Sequence, residues 1–143
     1  MLKKILVISG KPGLYELVSQ GKNMLIVESL KDKKRMPAYE YSREKIISLS
    51  DIAIFTETGE VPLKKVLISI KEKENGNPSS LDPKNSDNKS LREYFSSVLP
   101  DFDRDRVYPT DIKKIISWYN LLIEAEKHEF FEETEEQPIA STE

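Results

Sequence analysis

Cysteine is absent from this 143-residue chain and histidine occurs once, as His128. Without thiols there is no disulfide framework, no thiolate metal site and no thiol nucleophile. One imidazole at the edge of an acidic stretch, with no partner to orient it, predicts a solvated side chain and not a general base. Long apolar runs are missing too. Nothing approaches the roughly 20 residues of a membrane span, and the run 5–8 behind Lys3 and Lys4 is too short for a signal-peptide core. The default expectation is a soluble cytoplasmic protein with no membrane partner. Only five glycines occur. Gly10-Lys11-Pro12-Gly13 lacks the spacing of a phosphate loop or a dinucleotide fingerprint and reads as a turn.

Two further chemistries fail on spacing. Asp101, Asp103 and Asp105 alternate as in the first half of a calcium loop, but Arg106 and Ile112 stand where that loop needs glycine and a bidentate glutamate. Arg104 and Arg106 interleave the acids, which predicts internal ion pairs. Serine nucleophiles lack both a base and the G-x-S-x-G elbow. No catalytic, cofactor or metal residues are therefore assigned, and a non-enzyme is expected.

Charge is distributed unevenly. Residues 1–74 hold 14 Lys+Arg against 10 Asp+Glu, residues 75–123 hold 7 of each, and residues 124–143 hold Lys127 against eight acids. A block of this kind cannot bury apolar surface, so residues 125–143 are expected to form a disordered acidic tail. Such a tail could also compete with an anionic partner for the basic body.

The ordered part is expected to be α+β, with a small β-barrel over 1–74, a linker over 75–89 and a helical unit over 90–124. Leu14 to Val18, Met24 to Val27, Arg35 to Tyr39, and two short runs around Ile47 and Ile54 read as strands. Pro37 places its strand at an edge or a bulge. Few short strands with tight connections favour closure into a small SH3-like barrel, which removes exposed edges. Leu63, Val66, Leu67 and Ile70 form a helical stripe behind Pro62 that would close the barrel end. Residues 2–8 fit a strand by β-branching and a helix by the spacing of Leu2, Ile5 and Leu6; the latter is the expectation. Gly76, Pro78 and Pro83 mark the linker. Beyond it, Leu91, Tyr94, Phe95, Val98 and Leu99 mark a helix with Ser90 and Glu93 as a capping box. After an extended stretch from Asp101, Thr110 caps a second helix bearing Ile112, Ile115, Ile116, Tyr119, Leu122 and Ile123.

Four strings, Ile8-Ser9-Gly10-Lys11-Pro12-Gly13-Leu14-Tyr15, Ile26-Val27-Glu28-Ser29-Leu30, the Leu99-Pro100-Asp101-Phe102-Asp103-Arg104-Asp105-Arg106-Val107-Tyr108 stretch and Asp111-Ile112-Lys113-Lys114-Ile115-Ile116-Ser117-Trp118-Tyr119-Asn120, together resemble an uncharacterised bacterial family, a domain of unknown function. The resemblance covers residues 1–123. It implies an N-terminal SH3- or Tudor-like barrel followed by a small helical domain, with an acidic C-terminal end. It implies no activity, cofactor or site residue.

With catalysis disfavoured, the expected function is a binding or adaptor module. The barrel would present Tyr15, Arg35 and Tyr39, and the helical unit Lys114 and Trp118, to a protein or peptide partner. The alternative is RNA or single-stranded DNA, contacted by Lys31, Lys33, Lys34 and Arg35 with Tyr39 and Tyr41 nearby, and by Lys113 and Lys114 beside Trp118. A sequence pI near 5.4 weighs against it. A carboxylate- and lysine-based enzyme is the weakest reading, because Glu28 and Asp51 lack spaced partners.

Overall fold

The computed structural model of the chain describes residues 5–8, 13–22, 24–39 and 46–127, with the side chains of Ala38 and Tyr39 left aside. Tyr41, His128, residues 10–12 and the tail from 128 onward lie outside the described residues.

Five strands form one antiparallel sheet: β1 (Ile5–Ile8), β2 (Tyr15–Gly21), β3 (Met24–Ser29), β4 (Arg35–Tyr39) and β5 (Ile46–Ser48). Their order is β4-β3-β2-β1-β5, so β5 returns to lie beside β1. Pro37 sits on the edge strand β4, where its missing N–H breaks no ladder. Among the described residues no closed barrel is found, because β4 and β5 are not paired with one another. The register of β2 against β3 slips between Leu17 and Ser19, a bulge that bends and twists the strand.

β1 corrects the expected N-terminal helix. Ile5 and Val7 face one apolar cluster while Leu6 and Ile8 enter another. A strand buried on both faces carries no polar alternation, so its pattern resembles a helical turn.

A 3-10 turn (Leu49–Asp51) leads to a separate hairpin, β6 (Ala53–Thr56) with β7 (Gly59–Pro62). Three helices follow: α1 (Leu63–Glu74), α2 (Asn88–Val98) and α3 (Pro109–Glu124). The buried residues of all three helices come from the expected apolar stripes, with Val98 of α2 and Leu99 just beyond it only partly buried. Two caps differ from expectation. Asp87, not Ser90, caps α2, its Oδ1 accepting from Ser90 N–H at 2.8 Å. Tyr108 rather than Thr110 is the residue before α3, and Asp111 Oδ2 accepts its N–H at 2.9 Å. In both cases the carboxylate also suits the positive end of the helix dipole.

Two clusters make up the interior. The smaller draws its buried members, Leu6, Ile8, Tyr15, Leu25 and Val27, from the strands alone. The larger joins Ile5, Leu14, Leu30 and Leu49 of the sheet region to the stripes of all three helices. So α1, read from sequence as closing the barrel, packs against α2 and α3 as well as against the 3-10 turn. Phe95 meets Phe102 edge-to-face at 5.0 Å between centroids, seating the segment after α2.

The segment read as a linker is stitched to the helices. Tyr119 donates to the Asn77 carbonyl at 2.6 Å, and Asn120 Oδ1 accepts Ser79 N–H at 2.8 Å. Glu74 Oε2 accepts from Tyr94 OH at 2.5 Å and from Ser80 N–H and Oγ–H at 3.0 Å each. Burial alone would raise the Glu74 carboxyl, but these hydrogen bonds outweigh it and hold the group below its ordinary value. Burial pushes both tyrosines the other way, Tyr119 up to about 12 and Tyr94 further, the latter helped by its bond to Glu74.

The far end of α3 is pinned to the sheet. Glu16 is 7% exposed on the helix-facing side of β2, and Lys127 Nζ reaches its two oxygens at 3.0 and 3.2 Å. Among the described residues every buried side-chain N or O has a partner.

Two outcomes follow from these polar contacts. Lys127→Met should lower unfolding free energy by about 2–3 kcal/mol, because Glu16 is left charged on a strand that cannot swing to water. Glu16→Met should cost less, since Lys127 at a helix end can turn outward; urea denaturation compares the two. Tyr94 and Tyr119 have raised folded values, so the stability they contribute is complete below pH 10 and declines as pH rises through their folded values. Glu74 works in the opposite direction: its contribution is present above pH 4.5 and is lost as pH falls through its depressed folded value. Urea midpoints from pH 3 to pH 11 should therefore flatten at the alkaline end in Tyr94→Phe and at the acid end in Glu74→Gln.

Candidate groove between the hairpin and the last helix

Phe55 is the starting point, because it is a large apolar side chain left 39% exposed. On β6 the side chains alternate, with Ile54 and Thr56 buried and Ala53 and Phe55 outward. The Arg106 guanidinium lies 4.3 Å from the centroid of the Phe55 ring. Asp103 fixes that cation, its Oδ2 accepting from Arg106 Nε at 2.9 Å. The same bond leads the causes that hold the Asp103 carboxyl below its ordinary range, with a second from Asp105 N–H. Stacking a weakly hydrated guanidinium on an aromatic face contributes about 0.5–1 kcal/mol at an exposed site.

Across from this wall stands α3. Asp111, Lys114, Ile115 and Trp118 fall three or four residues apart and share one side of the helix. Between the two walls runs a groove of about 220 Å³, floored by Ile54, Val107 and Ile115. Apolar floor, two aromatics, two cations and one carboxylate make a surface for contact with an apolar and anionic chain.

The backbone adds a directional element. Glu57 and Thr58 form a two-residue turn, so the closing pair Thr56 and Gly59 exchanges hydrogen bonds and the peptide groups of Phe55 and Ala53 point away from β7. Outward, the Phe55 carbonyl accepts Asp103 N–H at 3.0 Å and Glu57 N–H reaches the Asp101 carbonyl at 2.9 Å. The neighbouring segment then turns aside, with Arg106 and Val107 N–H both on the Asp103 carbonyl. Among the described residues nothing pairs with Ala53 N–H and C=O or with Phe55 N–H on that side. The groove thus runs along an open strand edge.

Only part of the expected site converges here. Lys114 and Trp118 line the groove, while Lys113 is half-buried and does not. Tyr15 is 8% exposed within the strand cluster, so it offers no face to a partner, because residue 15 falls on the inward parity of β2. Lys33, Lys34 and Arg35 are exposed on the β3–β4 hairpin, with Arg35 Nε on Glu28 Oε1 at 3.1 Å. None of the three lines the groove. Tyr39 lies in β4, its side chain outside description. Sequence reasoning read Phe55 only as a member of a short strand in which it alternates with Ile54, gave it no place in a site, and took Arg106 only as an ion-pair partner. The pair Arg106–Asp103 is present, whereas Arg104 instead donates to Ser96 Oγ at 2.7 Å and to the Phe102 carbonyl at 3.1 Å, over the Phe102 ring. Alternation in Ala53-Ile54-Phe55-Thr56 was the available signal: if Ile54 points in, Phe55 points out.

Among the described residues no three acidic or imidazole groups are grouped to hold a metal ion, and no helix is long and apolar enough to cross a membrane.

Residues 2–49 match a family model described as a domain of unknown function (DUF5606), and residues 52–122 match a second (DUF6852). The junction falls at residues 50–51, within the 3-10 turn, so every residue of the groove lies within the second match. A solution NMR structure of a Bacteroides vulgatus protein, a structural-genomics target, is similar at 56% identity over 91% of each chain, with a TM-score of 0.72. No curated protein matches.

Arg106→Ala should remove the stacked cation at a cost of about 1 kcal/mol or less in urea unfolding. The Phe55 ring resonances should shift in the NMR spectrum while the core methyl resonances stay in place.

Proposed function

The chain belongs to the bacterial family that joins these two domains of unknown function, and from that premise we propose that it is a non-enzymatic binding module whose groove takes an extended peptide segment. The observation that carries this reading is the open edge of β6 facing Trp118. An extended chain laid there gains backbone hydrogen bonds from Ala53 and Phe55, and its alternate side chains meet the two aromatics. Strand addition of this kind takes affinity from main-chain bonds and specificity from the flanking side-chain seats. The one carboxylate in the groove, Asp111, is engaged in capping α3, which favours contact over proton transfer.

The N-terminal sheet fits the role of a rigid platform. Its strand order with β5 beside β1, the bulge in β2 and an apolar interior built from strands alone support reading it as an SH3-like barrel. Nucleic-acid binding through Lys33, Lys34 and Arg35 gains no such support, since those residues do not share the groove of Trp118.

Selection from a random 12-residue phage-displayed library tests the reading. Selected peptides should quench or shift the fluorescence of Trp118, the one tryptophan in the chain. Phe55→Ser and Ala53→Pro should each weaken binding at least tenfold, the latter by deleting an N–H that faces the groove and not β7. Lys33→Ala with Lys34→Ala should leave binding unchanged. Failure to select any peptide, or affinity indifferent to Phe55→Ser and Ala53→Pro, overturns the proposal.

A further inference from the structure

The open edge beside the groove is short and closed at one end. Outward from β6 it offers three backbone groups, Ala53 N–H, Ala53 C=O and Phe55 N–H. The Phe55 carbonyl already accepts Asp103 N–H at 3.0 Å, and residues 101–103 lie alongside β6 from there to Glu57. A strand added to this edge therefore meets Asp103 level with Phe55 and can go no further.

Chain direction decides which of the three groups an added strand can use. In an antiparallel strand one residue takes both Ala53 groups, and the residue that would take Phe55 N–H falls where Asp103 stands. Phe55 N–H is then left unpaired. Parallel bonds are slanted, so the residue opposite Ala53 bonds β6 through its two neighbours. The neighbour before it accepts Ala53 N–H; the neighbour after it donates its N–H to Ala53 C=O and accepts Phe55 N–H. All three groups are served, and one more residue would collide with Asp103. The strand that fits ends there, and the oxygen on Phe55 N–H belongs to a terminal carboxylate.

Charge agrees with this direction. Arg106 stands at the closed end, its guanidinium 4.3 Å from the Phe55 ring centroid. Asp103 takes Arg106 Nε, and among the described residues nothing accepts from its two terminal nitrogens. Lys114 adds a second cation to the lining, while Asp111 is held by Tyr108 N–H at 2.9 Å. A carboxylate suits such a place, whereas an antiparallel strand would bring its N-terminal ammonium to the same cations. The last side chain of the parallel strand falls level with Ile54 and on its face, above the floor of Val107 and Ile115.

Resting on the groove reading above, we propose that the ligand is the C-terminal end of a polypeptide partner, laid parallel to β6, with its carboxylate on Phe55 N–H and Arg106 and an apolar last side chain over Ile115.

The test uses the full-length chain and a random library displayed with free C-termini, each selected peptide then being synthesised as the acid and as the C-terminal amide. Amidation should weaken binding about tenfold or more, since a charge-assisted contact becomes a neutral one. Arg106→Gln should weaken the acid by about the same factor and leave the amide unchanged. N-methylation separates the directions. On the last residue it deletes the N–H that serves Ala53 and should weaken binding about tenfold, whereas on the penultimate residue it should have no effect. Acid and amide of equal affinity, both shifting the Ala53 and Phe55 amide resonances, overturn this proposal and leave the peptide-groove reading standing. Peptides that move neither resonance bring down both. A monomer–dimer equilibrium in sedimentation that Ala53→Pro abolishes assigns the edge to a second copy of the chain and also overturns the proposal.

Discussion

Burial of one stripe of α3 is the constraint through which the other parts are positioned. Ile112, Ile115, Ile116, Tyr119, Leu122 and Ile123 enter the larger core, where they meet α1, α2 and the helix-facing side of the sheet. Six such side chains, each contributing about 1.5–3 kcal/mol on leaving water, fix the rotation of the helix about its axis. Once that rotation is set, the remaining faces have no choice. Asp111, Lys114 and Trp118 must look toward β6, and Tyr119 and Asn120 toward the 74–80 segment, while the turn at Glu126 beyond the helix carries Lys127 to Glu16.

The groove is a by-product of a strand that begins to pair and then stops. Phe102 is anchored by Phe95 and bridges Thr56, so residues 101–103 lie along β6 for one step. Asp103 then gathers two backbone N–H groups on its carbonyl and Arg106 on its carboxylate, which bends the chain away before Ala53 is reached. Pairing all along β6 would have filled the edge, and no pairing at all would have left Phe55 without its stacked cation. The partial register produces both the vacancy and the charged aromatic wall beside it.

Much of this is readable in the string, and the misses have physical causes. Helical stripes are legible because a one-sided apolar face at period 3.6 suits a helix and would scatter over both faces of a strand. Strands β2, β3 and β4 are legible from β-branched runs and turn residues, and Pro37 from its missing donor. β1 is not, because burial on both sides erases the alternation that distinguishes a strand. Ser90 and Asp87 are equally good caps by residue type, and only the backbone tells which begins the turn. Half of the groove is legible, Lys114 and Trp118, since they sit on one helix. Phe55 and Arg106 come from segments 51 residues apart in number, and local pattern carries no information on such a meeting.

The contact between Glu16 and Lys127 joins positions 111 apart. On the ribosome the early strands emerge first. Until α3 arrives, the carboxylate of Glu16 stays hydrated, and the flank of the sheet around it has no reason to dry. When the last helix lands, the ammonium group that neutralises the acid is delivered by the same stroke that expels the water. The drying of that flank thus depends on a residue 111 positions away, and a chain lacking Lys127 would carry a buried acid without its partner.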